Sequence, residues 1–239
     1  MREGAGNRRT ILVSFSGIDG AGKSTQIETL ASRVRRDGLR VYEVRFWDDI
    51  ARLKGIRETS GHKIFKGDKG VGTPEAPINR RDKNVQSPWM TCVRLFLYLV
   101  DAMSLRLTVK RVQGGGHDLV IFDRYTWDEL ANLNLRNPFI RAYVGMLMML
   151  VPRPHISYLL DADPVQARER KPEYPLEFLR INREAYVMLA SLVGGVTIIS
   201  PKPVGEVAEE VAAHAARKLS YDVAEHAHGA LDGAAISIK

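Results

Sequence analysis

The chain has 239 residues, 45% of them hydrophobic and 26% charged, enough for one packed α/β domain with an insertion or tail and too few for two full domains. That balance excludes a disordered or fibrous chain, and a single cysteine, Cys92, excludes an internal disulfide and a cysteine-held metal cluster. The net charge of +7 is local: residues 51–111 hold 13 Lys/Arg against 5 Asp/Glu, and the remainder is close to neutral.

Met1-Arg2-Glu3-Gly4-Ala5-Gly6-Asn7 has no apolar signal core, and no run approaches membrane-spanning length, so a soluble, cytoplasmic protein without membrane contact is expected. A basic surplus can mark a nucleic-acid surface, but Gly/Arg-aromatic and repeat signatures are missing. Phosphorylated small molecules are therefore the expected partners, with a plain solvated basic face as the alternative.

Thr10-Ile11-Leu12-Val13-Ser14 reads as a buried strand, and Gln26–Val34 carries apolar residues at 27, 30, 31 and 34, a helical stripe. Between them runs Gly17-Ile18-Asp19-Gly20-Ala21-Gly22-Lys23-Ser24-Thr25, a Gly-x-x-x-x-Gly-Lys-Ser phosphate loop in its strand-to-helix context. Its glycines let backbone N–H groups turn around phosphate oxygens, with the helix N-terminus adding partial positive charge. Lys23 can reach the outer phosphates of a nucleoside triphosphate, and the Ser24 hydroxyl can sit on Mg²⁺.

Arg35-Arg36-Asp37-Gly38 ends that helix, and Leu39–Phe46 alternates as a second strand. Asp48 and Asp49 follow at its carboxyl end, either as an N-cap or as a catalytic carboxylate. Residues 51–87, broken by glycines and prolines, are expected to open with a short helix near 49–56 and continue as a mobile basic insertion. Trp89 to Val112 reads as a long helix with Val93, Phe96, Leu97, Val100, Met103 and Leu107 buried. Its polar stripe of Arg94, Tyr98 and Asp101 either faces solvent or lines an acceptor pocket.

Asp118–Phe122 forms a third strand closed by Asp123-Arg124-Tyr125, a Walker B arrangement in which Asp123 orients Mg²⁺ and Arg124 can grip phosphate bidentately. Residues 128–135 and 138–150 read as helices, the second with Met146, Met148 and Met149 in the core. His155–Asp161 is a fourth strand, a helix starts at Pro164 and stops before Pro172, and Leu176–Leu192 resumes as helix. Val196–Ser200 is a fifth strand, 204–219 an amphipathic helix, and 220–239 a fraying tail. The expected plan is one domain over 1–239, with its core over about 10–219 and a short lid over about 167–176.

Ser16–Gln26 closely resembles the P-loop of thymidylate kinases, down to Asp19 inside the loop, and Asp123-Arg124-Tyr125 is similar to their strand-end motif. Leu160–Pro164, the basic turn at Arg168–Lys171, and Arg183-Glu184-Ala185-Tyr186 with Leu189-Ala190 resemble, more loosely, their lid-flanking segments. The resemblance spans Ile11 to about Leu219. It implies a P-loop NTPase sandwich, with five parallel strands and helices on both faces. It also implies ATP- and Mg²⁺-dependent transfer of the γ-phosphoryl group to a nucleoside monophosphate.

In that picture Gly17, Asp19, Gly20, Ala21, Gly22, Lys23, Ser24 and Thr25 bind the donor nucleotide, and Ser24 and Asp123 hold the metal. Asp19 faces the acceptor's sugar, Arg45 and Arg124 hold its phosphate, and Tyr98 stands at the position that stacks on its base. Ala21 stands where some members carry a catalytic arginine, so Lys23 and Arg124 are joined as catalytic candidates by Arg168 and Arg170 of the lid. The base pocket departs from the family: Phe46-Trp47-Asp48 follows Arg45, Ala102 replaces a base-reading arginine, and Asp128, Asn132 and Leu133 replace serine, tyrosine and glutamine. Those departures keep the transfer machinery and remove the hydrogen bonds that favour thymine. A homodimer stays open. The competing readings are a hydroxyl-acceptor nucleoside kinase using Asp48 or Asp49 as base, and a non-catalytic nucleotide-binding regulator.

Overall fold

The computed structural model describes residues 10–50 and 88–218. The expected insertion over 51–87, most of the short helix near 49–56 and the tail over 220–239 lie outside the described residues. In chain order the elements are β1 (Ile11–Ser16), α1 (Lys23–Arg36), β2 (Val41–Arg45), a π-helical turn (Phe46–Ile50), α2 (Pro88–Gln113) and β3 (Leu119–Asp123). They continue with α3 (Thr126–Leu130), α4 (Pro138–Leu150), β4 (Ile156–Leu160), α5 (Pro164–Arg170), α6 (Leu176–Val193), β5 (Val196–Ile199) and α7 (residues 204–218).

All strand pairs are parallel, in the order β2-β3-β1-β4-β5. Parallel neighbours need crossovers, and α1 carries the chain from β1 past β3's place to β2. The chain then returns to β3 and crosses β1 to reach β4. Strand order thus reverses at β1, and the carboxyl ends of β1, β3 and β4 form the crevice where such sheets bind ligands.

Strand alternation builds the two cores. Leu12 of β1, Val44 of β2, and Val120 and Phe122 of β3 join Leu105, Val109, Leu130, Val144 and Leu147 on the side of α2, α3 and α4. Ile11, Val13 and Phe15, with Leu119 and Ile121, join Ile27, Leu30, Ala31, Val207 and Val211 on the side of α1 and α7. Each fully buried side chain of this kind contributes about 1.5–3 kcal/mol, so a one-residue register slip would turn every apolar side chain to the wrong layer. By the same period Ser16 shares the α3 face with Leu12, and Asp123 shares the α1 face with Ile121.

Two expectations about helix faces are overturned. On α2 Leu97 is buried as expected, but Phe96 (63% exposed), Met103 (47%) and Leu107 (58%) face outward, and of the polar stripe Tyr98 and Asp101 are buried and Arg94 is half-buried. On α4 only Met148 is core, and Met146 and Met149 are exposed. Both helices are apolar around most of their circumference, so periodicity could not select a face. The expected helix over 128–135 begins earlier and ends at Leu130. The Asn132 side-chain amide donates to the Asp128 and Glu129 carbonyls there, and Asn137 then caps α4 by accepting from the Phe139 N–H at 2.9 Å.

Candidate active site

The loop between β1 and α1 is shaped by three glycines with positive φ, Gly17 (143°), Gly20 (83°) and Gly22 (87°). Gly20 is required twice over, since a Cβ there would lie 2.1 Å from the Ala167 carbonyl oxygen of α5. Helix α5 therefore stands directly on the P-loop backbone. Gly22 is the N-cap of α1 and supplies no side-chain acceptor to the first turn, leaving an N-terminus suited to an anion.

Lys23 is buried, and its ammonium donates to the carbonyls of Gly17 (2.8 Å) and Ile18 (2.9 Å). Burial pulls its pKa down to about 8, and the nearby Arg124 charge adds to the effect. Those two carbonyls hold the ammonium beside the loop that would cradle the phosphates. Ser24 follows at the exposed start of α1.

At the end of β3, Asp123 pairs in register with Phe15 of β1 and with Arg45 of β2. Arg124 then adopts φ 69°, unusual for a residue with a side chain, while its N–H donates to the Phe15 carbonyl at 3.0 Å. Its guanidinium is shared by two carboxylates. One terminal nitrogen pairs with Asp19 of the P-loop, and the other donates to Asp128 Oδ1 at 3.2 Å. Burial opposes the charge on Arg124, but Asp128 and Asp19 outweigh that effect and hold its pKa above the ordinary value.

Asp128, in the first turn of α3, accepts four hydrogen bonds. Ser16 Oγ (2.6 Å) and the Tyr125 N–H (3.0 Å) donate to Oδ2, while Tyr186 of α6 (2.6 Å) and Arg124 donate to Oδ1. Tyr186 is fully enclosed, and burial, reinforced by Asp128, pushes its hydroxyl well above the usual pKa. The lid adds cations. Arg170 donates to the Gly20 carbonyl at 3.1 Å, and Lys171 lies 3.9 Å from Asp19. Arg168 Nε is buried and has no hydrogen-bond partner among the described residues. Behind the lid, Arg183 grips Asp161 bidentately at 2.6 and 2.7 Å, tying α6 to the end of β4.

The structure thus gathers Gly17, Asp19, Gly20, Lys23, Arg124 and Arg170 at the carboxyl ends of β1, β3 and β4. Arg45 stands at the exposed end of β2, on the face that Glu43 shares with α1 through its ion pair with Arg35. Tyr98 is corrected: at 6% exposure it belongs to the core cluster of Phe46, Ile50 and Ala102, so its ring surface is covered by protein. Asp49 accepts from the Arg45 N–H at 2.7 Å, tying the π-helical turn to the end of β2, and the helix it is expected to cap lies outside the described residues. Sequence reasoning named Asp128 only as a base-pocket replacement, and Lys171 and Tyr186 only within lid-flanking segments, and tied none of them to Arg124 or Asp19. The i,i+4 spacing of Arg124 and Asp128 was the one local signal for the first of these.

Among the described residues no three or more His, Cys, Asp or Glu side chains converge on a metal position. A nucleotide-bound Mg²⁺ needs only one or two protein oxygens beside phosphate and water, and the hydroxyl of Ser24 with the carboxylate of Asp123 fits that donor set. Among the described residues no helix is long and apolar enough to cross a membrane.

No family model matches the chain. Among curated proteins it is 28% identical over 216 residues to a probable thymidylate kinase of Pyrobaculum calidifontis, covering 85% of this chain and 94% of that protein. A probable thymidylate kinase of Archaeoglobus fulgidus is 26% identical, covering 84% and 92% respectively, and one of Pyrobaculum aerophilum is 29% identical, covering 84% and 93%. The similarity covers more than four fifths of this chain and more than nine tenths of each of these relatives, so the chain is similar to probable thymidylate kinases along most of its length.

Proposed function

We propose that this protein is an ATP-dependent phosphotransferase that moves a γ-phosphoryl group onto the phosphate of a nucleoside monophosphate. The observation that carries the reading is the meeting of Lys23, Asp19 and Arg124 at the reversal point of the sheet. The phosphate loop and α1 N-terminus bind the donor's phosphates, and Lys23 leaves the Gly17 and Ile18 carbonyls for their oxygens. Mg²⁺, held through Ser24 and Asp123, would neutralise phosphate charge when bound. Arg124, joined by Arg45 from β2, takes the acceptor phosphate and aligns it with the donor. From α5, Arg168 stabilises charge on the transferring group, while Arg170 holds the P-loop through the Gly20 carbonyl. The acceptor phosphate is already anionic, so the transfer requires no strong base.

Acceptor choice is broad on this reading. Ala102 and Leu133 are core residues without a polar side-chain atom, and the Asn132 NH₂ is engaged with the Asp128 and Glu129 carbonyls, so of these three positions only the Asn132 Oδ1 is left to meet a base. Steady-state kcat/KM for dTMP, dUMP, UMP, CMP, AMP, GMP and the matching nucleosides tests both statements. Monophosphates are expected to be used and nucleosides not. A dTMP preference of about 100-fold or more, the discrimination of a tuned pocket, would overturn the breadth. Turnover of nucleosides alone would overturn the reaction class. A cytoplasmic location and a homodimer formed through α2 complete the proposal.

A further inference from the structure

We infer that Asp128 is a positioning residue: it anchors one edge of the Arg124 guanidinium and leaves the other edge, paired with Asp19, to exchange onto the acceptor's phosphate. The inference rests on the phosphotransferase reading above and adds a residue to it.

The two carboxylates on Arg124 are not equivalent. Asp128 has a side-chain exposure of 1%, and both its oxygens are filled by donors from three other parts of the fold: β1 through Ser16, α6 through Tyr186, and the β3–α3 junction through Tyr125 and Arg124. A carboxylate offers about four lone-pair directions, and here all four are used. Moving it would strand buried donors, each at a cost of about 1–3 kcal/mol. Asp19 differs in every respect. Its side chain is 15% exposed, it sits in the loop that contacts the nucleotide, and Lys171 at 3.9 Å offers it a second cation. An incoming phosphate can therefore displace Asp19 from Arg124 while Asp128 keeps the guanidinium plane in place. Arg124 presents a fork to phosphate only if that plane is held, since a bidentate pair depends on orientation as well as charge. The left-handed backbone at Arg124 points the same way, because strain at this residue persists only where the surroundings over-determine it.

All four partners of Asp128 are donors, so an asparagine there accepts through one oxygen and turns an NH₂ toward donors. Asp128→Asn is expected to lower kcat/KM at least ~30-fold for the best acceptor of the panel, with the KM for ATP within ~2-fold of wild type. In an Arg124→Lys background the same change should cost no more than ~2-fold, because the route through Arg124 is already gone. An equal loss for ATP and acceptor, or the same loss in both backgrounds, would show that Asp128 serves only the fold. Should Asp128→Asn not fold, Tyr186→Phe removes one donor without unpairing a charge and should give a weaker loss of the same kind, confined to the acceptor. If the wild-type protein phosphorylates nothing in the panel, the reaction reading fails separately, and NMR of ¹⁵N-arginine-labelled protein decides the positioning. The Arg124 guanidinium signals, assigned by Arg124→Lys, should be distinct and slowly exchanging in wild type and collapse in the Asp128 or Tyr186 variant. Unchanged signals would overturn the inference.

Discussion

Lys23 keeps its ammonium under cover, with a pKa lowered to about 8 by burial first and by Arg124 second. The unfolded chain holds that proton up to its ordinary 10.5, so between these two values the unfolded state binds more protons than the folded one. Stability from this group consequently rises with pH across that window, and below it the full penalty applies. Triphosphate oxygens reverse the shift by supplying negative charge. Binding of ATP at pH 8.5 should therefore take up about half a proton or more, read by calorimetry in buffers of different ionisation enthalpy. Lys23→Ala should abolish the uptake and lower turnover by at least ~100-fold with the fold retained. Binding without proton uptake, or near wild-type turnover in the variant, would contradict the assignment. The identity of Lys23 was legible in the sequence because its spacing within a strand–loop–helix unit is local. The role of Asp128 was not, because two of its four donors, Ser16 of β1 and Tyr186 of α6, stand 112 and 58 residues away in sequence.

At the level of elements, α5 is the link between P-loop and lid. Its Ala167 carbonyl lies where a Cβ on Gly20 would fall, and its last turn sends Arg170 to the Gly20 carbonyl and to Gln166 at 3.3 Å. Arg170 is thereby occupied in holding the loop, whereas the buried Arg168 Nε has no such engagement among the described residues. Arg168→Ala should lower kcat by ~10–100-fold with the KM for ATP little changed, the mark of a contact made in the transition state. Arg170→Ala should act more on the KM for ATP. Steady-state kinetics of the two variants separates these roles, and the reverse pattern would exchange them. The start of α5 was readable from Asp163-Pro164, where the Asp163 side chain caps the Val165 and Gln166 N–H groups at 3.0 Å and proline supplies the first helical position. The inward turn of Tyr98 and Asp101 on α2 was not readable, because apolar residues surround that helix.

For the whole molecule, the outward side of α2 asks for a partner. Phe96, Met103 and Leu107, spaced by seven and four residues, form one exposed apolar stripe on a 26-residue helix. In the homodimer proposed above, a two-fold pair would lay this stripe against its copy. Sedimentation should show a dimer at micromolar concentration, and Phe96→Asp combined with Leu107→Asp should give a folded monomer. A wild-type monomer at those concentrations would refute the arrangement.

The amino-acid sequence by itself determined the P-loop, the five strands with ends right to within two residues, and the strand-end Asp123-Arg124 pair, because each rests on short-range spacing or on a two-residue period. Tertiary structure decided which face of α2 and α4 is buried, the enclosure of Tyr98 in the core and the anchoring of Arg124. The physical reason is the same in all three. Where apolar residues occur on more than one face of a helix, or a carboxylate is filled by donors far apart in the chain, only packing against the finished sheet breaks the tie.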